Sequence, residues 1–149
     1  SPHRRQAPRR AEVILIDTTP LVALCDPRDG LHSKALADLD RVARRAIILC
    51  EPVLVEACFL LSHATQRARL ERLIVEIGMM PLVVEDETDL RLEVLRWLAR
   101  YAEHEPDWAD GYLAVISERQ KEARVWTYDR EFRTKWRRPR GTRIPLAVR

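Results

Sequence analysis

The chain has 149 residues, 46% of them hydrophobic and 33% charged, a composition that excludes a disordered chain and fits one domain with a substantial core. No apolar run approaches the ~20 residues that span a bilayer, and the arginine-rich start SPHRRQAPRR has no signal-like apolar stretch behind it, so a cytoplasmic protein is expected. The net charge of +3 is uneven: residues 1–10 hold four Arg, residues 130–149 hold eight Lys/Arg against one Glu, and the body between holds 14 basic against 22 acidic groups.

In chain order, residues 1–11 read as a basic, flexible tail ahead of a single domain at 12–149. Val13-Ile14-Leu15-Ile16 is apolar without alternation, the pattern of a strand covered on both faces in a parallel sheet. Asp17 stands at its carboxyl end, the edge where open α/β sheets bind ligands. A helix opens at Thr18-Thr19-Pro20, with Thr as cap and Pro at the first helical position. Asp26-Pro27-Arg28-Asp29-Gly30 is a turn. Leu31, Ala35, Leu39 and Val42 then mark one face of a helix over 31–44. A second buried strand is predicted at 46–49, a third helix from Pro52 to about Thr65, and a fourth over 66–78. Pro81 to Val84 reads as a third strand. Thr88 to Glu103 reads as an amphipathic helix with Leu92, Leu95, Leu98 and Ala99 inward. A helix from Asp107 to Lys121, a strand at 124–128 and a helical turn at 130–132 follow, and Arg143 to Leu146 closes the chain as a short strand. Alternating strands and helices predict one three-layer α/β/α domain with a mainly parallel sheet.

Each acid has a functional and a bland role. Glu56 has Pro52, Val53, Phe59 and Leu60 as helical neighbours, so it lies on no solvated stripe, and a buried carboxylate is costly unless paired or metal-bound. Asp17 competes with a plain capping role, which the two threonines can fill instead. Asp107 and Asp110 share a helix face, but Asp107 is also a natural N-cap after Pro106, and Asp110 suits the first turn. Asp129 follows Thr127 by two, which puts a hydroxyl and a carboxylate on the same side of the strand. Its bland role is a turn residue before 130–133.

Cys25, Cys50 and Cys58 are odd in number, lack metal spacing and sit among apolar residues, so they read as reduced core thiols. The histidines show no ligand spacing; His32 and His104 read as surface residues. Trp97, Trp108 and Trp126 suit the core. Lys135-Trp136-Arg137-Arg138 combines charge with an aromatic ring, which suits a backbone-and-stacking contact with single-stranded RNA. Basic ends of this kind also simply solubilise a chain.

The strand ending in Asp17-Thr18, Glu56 on the third helix, Trp108-Ala109-Asp110-Gly111, and Thr127-Tyr128-Asp129-Arg130-Glu131-Phe132 together resemble the PIN-domain family. The likeness covers nearly all of residues 12–147 and is closest to the toxin ribonucleases of VapBC-type toxin–antitoxin systems. It implies an acidic pocket binding Mg²⁺ or Mn²⁺, with Asp17, Glu56, Asp110 and Asp129 at the four acidic positions and Asp107 as an extra acid found in some members. Thr18 stands where Ser or Thr is usual. Gly111 stands where Ala is more usual, a helix cost under about 1 kcal/mol. The resemblance further implies an RNA substrate, an antitoxin that covers the pocket and presents an arginine, and a homodimer. The rival class is a non-catalytic RNA- or protein-binding module. An aspartyl-phosphate phosphatase is poorer, because Thr19 stands where its second Asp is needed.

Overall fold

The computed structural model describes residues 12–149; the basic tail expected at 1–11 lies outside the described residues. Strands β1 (Val13–Ile16), β2 (Ala46–Ile48) and β3 (Ala123–Trp126) pair in parallel in the order β2-β1-β3. The apolar run of β1 puts it at the centre, where Ile14, Leu15 and Ile16 are wholly buried and both faces need cover. Helices supply it. Helix α1 (Thr18–Cys25) packs on α2 (His32–Val42), α3 (Glu51–Leu60) and α4 (Ala64–Ile77). Helix α6 (Trp108–Arg119) packs on α5 (Glu87–Arg100), on α3 and on β3, and the short α7 (Glu131–Thr134) follows β3. The expected α/β/α sandwich is the observed fold.

Several boundaries differ from expectation, each for a local reason. Helix α1 starts at Thr18 with Asp17 as its N-cap residue, so Pro20 lies in the third helical position. The predicted helix over 52–65 stops at Leu60. There Arg67 reaches back to the carbonyls of Cys58 and Leu61, 2.9 Å each, while the His63 N–H donates to Gln66 and opens α4. Helix α4 ends at Gly78, whose φ of 73° is the left-handed stop that glycine permits.

The strand predicted at 81–84 does not form. Only Met80 bridges to Ile48, because β2 gives way at once to α3, which leaves no ladder to extend, and Val83 is 85% exposed. The strand predicted at 143–146 is likewise reduced to single bridges, Leu146 beside Val125 and Arg143 beside Arg137. Pro145 removes a donor there. Cys25, Cys50 and Cys58 are all unpaired, and burial pushes the Cys25 thiol up to about 11 and the Cys50 thiol to about 12. Cys25 and Cys50 are thus inert core groups, while Cys58 is half-buried.

Helix α5 turns a different face inward from the one expected. Leu90, Val94 and Trp97 are buried, whereas Leu92 and Leu95 are half exposed. Both stripes have helical spacing, and Trp97 decides between them because its area outweighs that of a leucine. Gly111 lets α6 approach this face. A Cβ at Gly111 would lie 3.0 Å from Trp97, 3.1 Å from Val94 and 3.2 Å from Leu98. Gly111→Ala is therefore expected to lower the melting temperature by several degrees, although alanine gains up to about 1 kcal/mol of helix propensity, because overpacking costs about 1–3 kcal/mol. A thermal melt that is unchanged or higher would show that the α5–α6 contact can yield.

Candidate active site

The parallel register builds the site. Ile16 pairs with Trp126, and the Asp17 N–H continues the ladder to the Trp126 carbonyl at 2.8 Å. The next residues out, Asp17 and Thr127, therefore meet at the carboxyl edge, where Thr127 Oγ1 donates to Asp17 Oδ2 at 2.7 Å. Asp17 makes no side-chain cap bond to α1, so the bland capping role does not account for it. The threonines do not cap the helix either. Thr18 Oγ1 donates to Glu56 Oε2 at 3.0 Å, and Thr19 Oγ1 accepts from the Tyr128 N–H at 2.9 Å.

Strand β3 ends at Trp126, so Thr127 and Asp129 do not share a strand face as the spacing suggested. They lie in a loop in which Thr127 Oγ1 accepts the Asp129 N–H at 3.0 Å. One hydroxyl thus holds the Asp17 carboxylate and the Asp129 backbone. Asp129 in turn accepts from the Glu131 N–H at 3.0 Å, a local bond typical of aspartate at a turn. Asp107 and Asp110 cap α6 reciprocally, with 2.8 Å from the Asp110 N–H to Asp107 and 3.1 Å from the Asp107 N–H to Asp110. Asp107 is exposed and Asp110 half-buried.

These five acids feel one another. Burial, then the charges of Glu56 and Asp107, push Asp17 from 3.8 to about 7 against the pull of its Thr127 hydrogen bond. Burial, Asp107, Asp17 and Asp129 raise Asp110. Burial, Asp107 and Asp129 raise Glu56, while the Thr18 hydroxyl opposes them. Raised carboxyls clustered at a sheet edge mark a functional site more often than a structural one. All-oxygen carboxylate donors of this kind suit a hard divalent cation. Among the described residues, however, no three His, Cys, Asp or Glu side chains stand together as a ready metal-holding group, so the fit rests on donor chemistry and mutual repulsion.

Two flanks border the acids. Between α3, α5 and α6 lies a cavity of about 700 Å³, walled by Val55, Phe59, Leu90, Trp108 and Tyr112, with Glu51, Glu56, Glu87 and Asp107 at its margin. Phe59 is 82% exposed there. A separate cleft of about 290 Å³ adjoins Asp129 and is lined by Lys34, Arg130, Arg133 and Arg149.

The expected RNA-stacking element is corrected by burial. Trp136 is wholly buried, edge-on to Trp97 at 5.4 Å and to Tyr101 at 5.5 Å, and offers no face to a base. Arg137 bonds to the carbonyls of Arg133 and Trp136, Arg138 to that of Ser117, and Lys135 pairs with Glu131. Sequence reasoning also missed a buried acid behind the loop that carries Thr127 and Asp129. Asp38 accepts from the Tyr128 hydroxyl at 2.7 Å, which itself accepts from Trp126 Nε1 at 3.2 Å, and Lys34 lies 3.4 Å from the same acid. Its signal was position: Asp38 shares the inward face of α2 with Ala35 and Val42.

A family model described as PIN domain matches residues 14–135. Among solved structures, the chain is similar in fold to VapC20 of Mycobacterium tuberculosis, a sarcin-ricin loop cleaving toxin. The TM-score is 0.65 at 22% identity, over 81% of this chain and 93% of that one. No curated protein matches it in sequence.

Proposed function

The chain belongs to the PIN-domain family, and from that premise we propose that residues 12–149 form a divalent-metal-dependent endoribonuclease, the cytoplasmic toxin of a type II toxin–antitoxin pair. The supporting observation is a set of carboxylates from four different segments, gathered at the carboxyl edge of the sheet, with Asp17, Glu56 and Asp110 raised by burial and by acidic neighbours, and with Asp17 and Glu56 hydrogen-bonded by Thr127 and Thr18. The toxin role draws on the likeness to VapC20. A homodimer and an antitoxin seated over the apolar cavity beside the acids belong to the same reading. No helix among the described residues is long and apolar enough to cross a membrane.

Asp17, Glu56, Asp110 and Asp129 would hold Mg²⁺ or Mn²⁺, with Asp107 as a further acid at the rim. Such an ion supplies positive charge for the attacking water and for the phosphate oxygens of the bond being cleaved. The chain supplies the rest. Thr127 fixes Asp17 and Asp129 together, and Thr18 fixes Glu56. Glu56 holds its proton more tightly than an ordinary glutamate, which suits it to take the proton of the attacking water.

Structured RNA incubated with Mg²⁺, with Mn²⁺ or with EDTA tests the reading, and cleavage only with metal is expected. Thr127→Val keeps the shape of the side chain and removes both hydrogen bonds, so it should lower cleavage by about 10–100-fold, the usual range for residues that orient metal ligands. Thr127→Ser should restore most of it. The non-catalytic module remains the second reading, favoured by one observation, the lack of a ready three-acid group among the described residues. Protein that takes up Mn²⁺ and binds RNA yet never cuts it would establish that alternative.

A further inference from the structure

We propose that the cleft beside Asp129, walled by Lys34, Arg130, Arg133 and Arg149, holds the RNA backbone phosphates that flank the cleaved bond; the proposal rests on the ribonuclease reading. Four cations line this cleft against one acid, Asp129. Lys34 is already shared with Asp38 at 3.4 Å, so the arginines are left to meet the phosphates. Arg130 and Arg133 are exposed. They lie three residues apart at the start of α7 and so point the same way. Among the described residues, no acid forms an ion pair with either of them or with Arg149. The neighbouring Lys135, Arg137 and Arg138 are engaged internally. The free basic surface therefore lies just ahead of the segment that the sequence pointed to.

The charge of the other cavity strengthens the assignment. The large cavity beside Glu56 and Asp107 carries Glu51, Glu56, Glu87 and Asp107 against Arg91 alone. A polyanion is repelled from that side and drawn to the other, so the two flanks give the strand one approach. The cleft also offers charge rather than a stacking surface. The Tyr128 ring has the Lys34 ammonium 5.4 Å from its centre, and its hydroxyl is held by Asp38. Contacts of this kind position a nucleic acid without reading its bases.

The test is anisotropy binding of single-stranded RNA oligonucleotides of several sequences, across about 50–200 mM salt. The full chain carries Asp110→Asn so that it does not cut. Adding Arg130→Glu and Arg133→Glu should weaken binding by about tenfold or more, equally for every sequence. It should also flatten the slope of log affinity against log salt by about 1.4, since each single-strand phosphate that a cation neutralises adds ~0.7 to that slope. Arg72→Glu with Arg96→Glu changes the charge by the same amount on exposed helix positions outside the cleft. Affinity and slope equal to that control, or no RNA binding by the parent, would overturn the proposal. Circular dichroism and Mn²⁺ titration confirm that fold and acids survive the substitutions. If the unsubstituted chain never cuts RNA while the Asp110→Asn parent binds with the expected slope, the ribonuclease reading is removed and the cleft stands as a site for RNA phosphates. If the unsubstituted chain cuts and the salt slope is indifferent to Arg130 and Arg133, the reverse holds.

Discussion

Asp17→Asn is expected to abolish RNA cleavage and, in metal-free protein near pH ~8, to raise the melting temperature. The two effects share one cause. Asp17 is 5% exposed, and burial with its acidic neighbours moves its carboxyl from 3.8 to about 7. An acid whose pKa is raised by folding contributes stability that is fully present below its unfolded pKa and lost as pH rises through its folded one. Between about pH 4 and pH 7 the folded state holds a proton that the unfolded chain has released, so stability falls with pH. At 1.36 kcal/mol per unit, the loss has a ceiling of about 4 kcal/mol.

Asparagine keeps the shape, and its carbonyl can still accept from Thr127, but it has no charge to bury. The variant should therefore show a flatter profile of melting temperature against pH, and exceed the parent at about pH 8 in EDTA by on the order of 5 °C. Added Mn²⁺ should raise the parent and leave the variant nearly unmoved. Cleavage at the parent's level, or a variant less stable than the parent in EDTA at that pH, would remove Asp17 from the role given it. The acids of this edge are thus expected to lower the stability of the domain that carries them, a cost that sites built for charge commonly impose.

What the sequence made legible was whatever depends on continuous or ordered patterns. The unbroken apolar run before Asp17 marked the central strand, because only a strand covered on both faces tolerates four such residues in a row. Pro106-Asp107 marked the start of α6, because capping chemistry is local. Other features depended on competition between distant parts. Helix α5 carries two apolar stripes, and only the arrival of Gly111 and Trp136 decides that Trp97 turns inward. Residues 81–84 look like a strand, yet no partner ladder remains once β2 turns into α3. Thr127 and Asp129 meet through a hydroxyl in a loop, a contact that spacing along a strand misdescribes. The order of the acids was readable from the chain. That threonine hydroxyls hold Asp17, Glu56 and Asp129 in place emerged only with the register of β1 against β3 and the packing of α1 on α3.

Trp136→Ala is expected to be the most destabilising substitution in the basic carboxyl-terminal segment, and its outcome separates two roles for the same residue. Its ring is wholly buried, and removing a buried tryptophan costs about 3–5 kcal/mol. Trp136 is also the plug of a strap. Trp97 Nε1 donates to the Arg137 carbonyl at 2.7 Å, Arg100 reaches the Pro139 carbonyl at 2.6 Å, and Arg138 reaches that of Ser117 at 2.9 Å. Beyond these ties, Leu146 lies along the outer edge of β3, with the Val125 N–H bonded to the Pro145 carbonyl at 2.8 Å. Loosening the plug should therefore uncover the edge of the strand that leads into Thr127 and Asp129. A fall in melting temperature of roughly 10 °C, with activity lost on warming before it is lost in the cold, is the expected result. Trp136→Phe should recover much of the stability, since the indole N–H has no partner among the described residues and its removal leaves no donor unpaired. A base-stacking residue would behave in the opposite way: Trp136→Ala would leave the melt unchanged and weaken RNA binding, and that combination would sink the packing role.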